Sequence, residues 1–81
     1  MEYEIKDFRN EGGNKYIGFK VTDDKGRLFM IDKQIALSEG KTDEQYTQEA
    51  FSLCQTEIDE WQNSFINIGK KWNPNTNSFN A

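Results

Sequence analysis

At 81 residues the chain is one domain near the lower size limit for a self-supporting core, so nearly every large apolar side chain has to be used. Hydrophobic residues make up only 35% but aromatics 14%, which places much of the burial on a few large rings. A net charge of −4 argues against a nucleic-acid binder that works by bulk phosphate neutralisation, and the absence of His removes the commonest general base and metal ligand.

The segment Met1 to Asp7 has neither the basic start nor the apolar run of a signal peptide. No stretch approaches the roughly 18 apolar residues of a membrane span. The lone Cys54 has no partner for an intramolecular disulfide. We therefore expect a soluble protein made in a reducing cytoplasm, with no membrane partner.

Tyr3 and Ile5 alternate with Glu2, Glu4 and Lys6, the period of two expected of a half-buried strand. Asn10 to Asn14, with Gly12 and Gly13, break the pattern, and Ile17, Phe19 and Val21 resume it, so the two runs form a hairpin. Asp23-Asp24-Lys25-Gly26 reads as a type I turn with Gly at the left-handed bulge position. A third strand follows from Arg27 to about Lys33. Within it Leu28, Phe29, Met30 and Ile31 are consecutive, which makes both faces apolar. One face can pack on a helix. The other needs a second cover, from the C-terminal segment or a partner chain, and Phe29 and Ile31 are candidate partner-binding residues there.

Thr42 with Gln45 three residues on is a capping box, and Asp43 and Glu44 suit the positive end of a helix dipole, so a helix starts at about residue 43. At about 100° per residue, Tyr46, Ala50, Leu53, Cys54, Ile58, Trp61, Phe65 and Ile68 share one broad arc. Glu44, Glu49, Asp59 and Glu60 lie opposite. Gly69 offers a stop, with Lys70 and Lys71 at the negative end of the dipole. Ile66 falls off the arc, so either the helix ends nearer Asn63 or Ile66 meets something else. Beyond Gly69, Trp72 and Phe79 flank an Asn-Pro-Asn turn in a polar tail.

The fold class is α+β: a three-stranded antiparallel meander packed on one long C-terminal amphipathic helix. Residues 1–69 form a single β-β-β-α domain, and residues 70–81 a C-terminal tail or short hairpin.

Catalytic chemistry finds no foothold in this pattern. Cys54 sits on the apolar arc without a basic neighbour in sequence, which is the setting of a buried inert thiol rather than a nucleophile. Glu57, Asp59 and Glu60 are explained by a solvated helix face. Gly12-Gly13 lacks the spacing of a phosphate loop, and Asp23-Asp24-Lys25-Gly26 lacks that of a calcium loop. No enzyme activity, cofactor or metal is expected.

Binding has three candidate surfaces. The helix segment 42–69 holds six acids and no base, whereas residues 1–41 hold eight of each. Its outer face, with Glu49, Asp59 and Glu60, is a solubilising surface or a dock for a basic partner. Trp72 and Phe79 either fold back over the free face of the third strand or insert into a neighbouring subunit. A sheet followed by a helix also resembles in outline the sheet-in-groove DNA-binding domains of phage integrases, with Lys15, Lys20, Lys25, Arg27 and Lys33 on or near the strands. An equal number of acids in the same segment opposes that reading.

The ending Gly69-Lys70-Lys71-Trp72-Asn73-Pro74-Asn75-Thr76-Asn77-Ser78-Phe79 resembles the G-x-x-W-D-P-x-T-x-x-F endings of small tailed-phage proteins associated with virions and tail assembly. Asn73 stands where that pattern has Asp. The resemblance implies a small virion structural or assembly protein, made in the host cytoplasm, whose partners are copies of itself or other virion proteins. The alternative from charge alone is an acidic inhibitor or regulator that docks its helix on a basic site of a host or phage protein.

Overall fold

A computed structural model describes residues 1–80. Three antiparallel strands, β1 (Glu2–Glu11), β2 (Asn14–Thr22) and β3 (Leu28–Ala36), form a meander in the order β1-β2-β3. Helix α1 (Asp43–Asn63) follows and packs mainly on β3, then β4 (Lys71–Asn73) and β5 (Ser78–Asn80) pair as a separate hairpin. The α+β meander and its long helix are as the sequence patterns require. Ala81, at the end of the predicted tail, lies outside the described residues.

The turns follow from their residues. Gly12 and Gly13 both have positive φ, 56° and 81°, which lets two residues reverse the chain between β1 and β2. Between β2 and β3, the Gly26 N–H donates to the Asp23 carbonyl at 3.0 Å and the Asp23 N–H to the Arg27 carbonyl at 3.0 Å. Gly26 sits at φ 78°, the left-handed bulge position expected for it. Strand β3 runs three residues beyond the predicted Lys33, because Ile35 supplies another inward side chain and the Leu37 N–H bonds the Gly13 carbonyl.

A bulge decides what β1 buries. Ile5 pairs with Phe19, but Asp7 pairs with Gly18 and Phe8 with Ile17, so Lys6 is the extra residue. Tyr3 and Ile5 are odd-numbered and Phe8 is even, yet the bulge brings all three to the face that carries Ile17, Phe19 and Val21. Gly18 lies beside it, where a Cβ would stand 3.1 Å from the Asp7 Cβ and the neighbouring strand would have to give slightly.

The core is formed by Ile17, Phe19, Val21, Ile31, Ile35, Tyr46, Ala50, Cys54 and Ile58. The capping box predicted for α1 is present, with the Gln45 N–H donating to the Thr42 hydroxyl at 3.2 Å and the Thr42 N–H to the Gln45 carboxamide at 2.8 Å. Tyr46 anchors the first turn, its hydroxyl accepting from the Ser38 N–H and donating to the Ser38 carbonyl. The helix ends at Asn63, the shorter of the two expected lengths, and residues Ser64 to Lys70 continue as turns. Its last turn therefore has no basic residue, and Lys70 and Lys71 do not serve its dipole.

Two members of the predicted apolar arc are largely exposed. Leu53 is 55% exposed and Ile68 69% exposed, because α1 lies over β2 and β3 with Cys54 and Ile58 innermost, leaving Leu53 at its margin and Ile68 beyond its end. A second aromatic cluster closes the far end of the domain. Trp61 stacks on Phe29 with ring centroids 5.1 Å apart and meets Phe65 edge to face, and Arg27 lies 3.6 Å over the Phe65 ring.

The whole is elongated, 60 × 22 × 17 Å, with a radius of gyration of 17.7 Å. A compact chain of this length has a radius of about 12 Å. The difference comes from the β4–β5 hairpin, which pairs with itself and packs on no other element to any extent.

Candidate functional site

Phe29 and Ile31 face the helix, which corrects their assignment to a partner surface. Residues two apart share a strand face, and Val21, paired with Phe29, and Phe19, paired with Ile31, both point inward. Phe29 is covered by Trp61, and Ile31 is 9% exposed. The free face of β3 carries Leu28 and Met30 instead, 58% and 61% exposed. The rest of that face is mainly polar, with Glu2, Glu4, Arg9, Lys20 and Asp32, and carries the half-buried Tyr16 ring under the Arg9 guanidinium. Leu28 and Met30 thus form a small apolar patch with no second layer from the described residues of this chain. The C-terminal tail does not supply one.

The five basic residues of the DNA-binding reading do not share a face. Lys15 and Lys33 lie on the helix side, where Lys15 is 3.6 Å from Asp43 and Lys33 is hydrogen-bonded to Glu57. Arg27 is held by Asp23, Lys25 sits in a turn, and only Lys20 projects from the free face.

The helical acids are also partly engaged. Glu49 bonds Lys41 at 2.7 Å, so its charge is matched within the chain. Asp59 accepts from the Gln55 carboxamide at 2.9 Å, and Asp59, Glu60 and Glu44 have no cation within 4.0 Å among the described residues.

Trp72 and Phe79 are brought together. They pair across β4 and β5 and meet edge to face, with ring centroids 5.2 Å apart. The intervening turn is set by Asn73, whose side chain accepts from the Asn75 N–H at 3.0 Å, and by Asn77 at φ 50°. Lys70 lies 5.5 Å over the Phe79 ring. The rings remain 54% and 48% exposed, so the hairpin displays an aromatic pair that the domain does not cover.

A trough that the sequence pattern did not reveal runs between β1 and the first half of α1. Its volume is about 510 Å³, and Tyr3, Ile5 and Phe51 form its apolar floor. Tyr3 meets Phe51 edge to face at 4.8 Å, yet Tyr3 and Ile5 stay 45% and 43% exposed, because α1 covers β2 and β3 and leaves β1 bare. Glu44 is its one charged lining residue among those described. Alternation showed which side of β1 is apolar; nothing in it showed that the helix stops short of that strand. A second cleft of about 720 Å³ beside the bulge is bordered by Lys6, Asp7, Asp32, Lys33 and Glu57, in which Lys33 and Glu57 neutralise each other.

Two titratable groups are displaced in ways that bear on chemistry. Burial pushes the Cys54 thiol up, with Lys33 opposing it only partly, so the thiolate is disfavoured. Burial also works against the Asp23 carboxylate, but hydrogen bonds from Gln62, from the Arg27 side chain and from the Arg27 and Lys25 backbones outweigh it and hold the group well below the usual carboxylate range. Asp23 is thereby a structural anion, fully engaged in a turn. Among the described residues no three His, Cys, Asp or Glu side chains converge as a metal site, and no helix is long and apolar enough to cross a membrane.

No family model, curated protein or solved structure matches the chain.

Proposed function

We propose that the chain is a non-enzymatic protein–protein interaction module, a small structural or assembly component of a phage virion. The observation that carries this reading is the Trp72–Phe79 pair, presented on its own hairpin away from the core. Exposed aromatic anchors of this kind are over-represented at the centres of protein interfaces. The resemblance of residues 69–79 to tailed-phage endings gives the biological setting, with synthesis in the host cytoplasm and assembly into the particle.

The test is the mass of the intact protein in solution, followed by removal of residues 70–81 and a cross-linking map in its native assembly. Cross-links through Trp72 to Phe79 that disappear on truncation support the reading. A protein that is strictly monomeric and captures nothing from its source lysate overturns it.

The unpaired acids Asp59 and Glu60 support a second reading, an acidic regulator docking α1 on a basic site. Glu49 contributes less, since Lys41 already holds it. Charge reversal at Asp59 and Glu60 abolishes such binding and its salt sensitivity; binding that is unchanged removes this reading.

A further inference from the structure

The hairpin and the trough are complementary in charge and in surface. Of the ten basic side chains only Lys70 and Lys71 lie beyond Gly69, and none of the 14 acids does. A cationic hairpin therefore projects from an anionic body. The trough has an aromatic and aliphatic floor, Glu44 on its helical wall and no Lys or Arg among its described lining residues. Both surfaces carry an edge-to-face aromatic pair, Trp72 with Phe79 and Tyr3 with Phe51.

The hairpin is not placed to fill the trough of its own chain. The trough borders Glu44 to Phe51, and the hairpin leaves beyond Asn63, about 18 Å further along the helix axis from Phe51. The intervening turns are fixed by the Ser64, Phe65, Ile66, Ile68 and Lys70 N–H groups, each bonded three or four residues back. The same polypeptide thus carries a plug at one end and an unfilled socket near the other.

We infer that the partner of this module is a second copy of the chain, whose trough over Tyr3, Ile5 and Phe51 receives the Trp72–Phe79 hairpin. The inference rests on the interaction-module reading and names its partner. The contact is heterologous, plug of one copy into socket of the next, so it closes into a pair or small ring if the rotation allows and extends as a row if it does not. Lys70, which lies over the Phe79 ring, comes opposite Glu44, which makes the association sensitive to salt.

The experiment is sedimentation of the full chain over a concentration series reaching the millimolar range, for the wild type and two variants. Trp72→Ser with Phe79→Ser removes the plug; Ile5→Glu spoils the socket. Both sites are exposed, and melting curves verify that each variant folds; Glu44→Lys serves as the socket variant if Ile5→Glu does not. Each variant is expected to weaken self-association by roughly tenfold or more. An equimolar mixture associates more than either variant alone, because one retains the socket and the other the plug. A wild-type protein that stays monomeric, association unchanged in either variant, or a mixture no better than its components overturns the inference. Cross-links from the hairpin to a different virion protein, with a monomeric wild type, overturn this inference alone and leave the module reading standing.

Discussion

The Asp23 carboxylate, in the turn between β2 and β3, accepts a hydrogen bond at 3.1 Å from the Gln62 side chain, 39 residues later near the end of α1. This contact joins the turn to the helix. The same carboxylate takes the Lys25 and Arg27 N–H groups at 2.9 and 2.8 Å and the Arg27 guanidinium, which in turn covers Phe65. Four donors converge on one buried anion, so the turn geometry and the aromatic end of the core depend on each other.

Asp23→Asn should lower stability by an amount readable as a fall in melting temperature of about 5 °C or more. The pH dependence has a definite sign. Because the folded-state pKa lies below the unfolded value near 3.8, the carboxylate contributes its full stabilisation above about pH 4, and this is lost progressively as pH falls toward the folded value. Denaturation of the wild type between about pH 4 and 2 should therefore show a steeper slope than that of the Asn variant, which keeps only the contribution of other lowered carboxylates such as Glu4.

The two sides of α1 give a direct contrast. Ile58 is 1% exposed and surrounded by core, so Ile58→Ala should cost about 2–5 kcal/mol. Leu53 lies on the arc predicted from periodicity but is more than half exposed, so Leu53→Ala should change stability by no more than about 0.5 kcal/mol. Urea unfolding of the two variants measures both; equal losses would refute the placement of the helix.

Cys54 is fully buried, and burial raises its thiol pKa. In native protein it should react with a thiol-specific disulfide reagent only as fast as the chain opens, and at once in denaturant. Rapid labelling at neutral pH without loss of structure would contradict this.

Truncation after Lys70 removes the whole hairpin while leaving Phe65 and its contact with Arg27. Since β4 and β5 pack on no other element to any extent, the melting temperature should shift by less than about 3 °C. Calorimetry checks this. A large loss would mean that the hairpin stabilises the domain.

Much of the scaffold is determined by local sequence. The alternation in β1 and β2, the Asp23 to Gly26 turn, and the Thr42–Gln45 box each act over a few residues, and they are found where the patterns place them. The pairing of Trp72 with Phe79 follows from an Asn-Pro-Asn turn in the same way.

Which apolar faces are covered is a different matter, because it depends on where one rigid element lies on another. The run Leu28 to Ile31 is apolar on both sides in sequence, but only the crossing of α1 assigns Phe29 and Ile31 to the core and Leu28 and Met30 to solvent. Periodicity placed Leu53 on the buried arc; the packing of Cys54 and Ile58 against the sheet turned it outward. A bulge at Lys6 moved Phe8 inward, and the helix, seated on β2 and β3, left Tyr3 and Ile5 as the floor of an open trough. Sequence determined which residues could be buried in this protein. Tertiary packing alone decided which were, because one helix is too narrow to cover three strands.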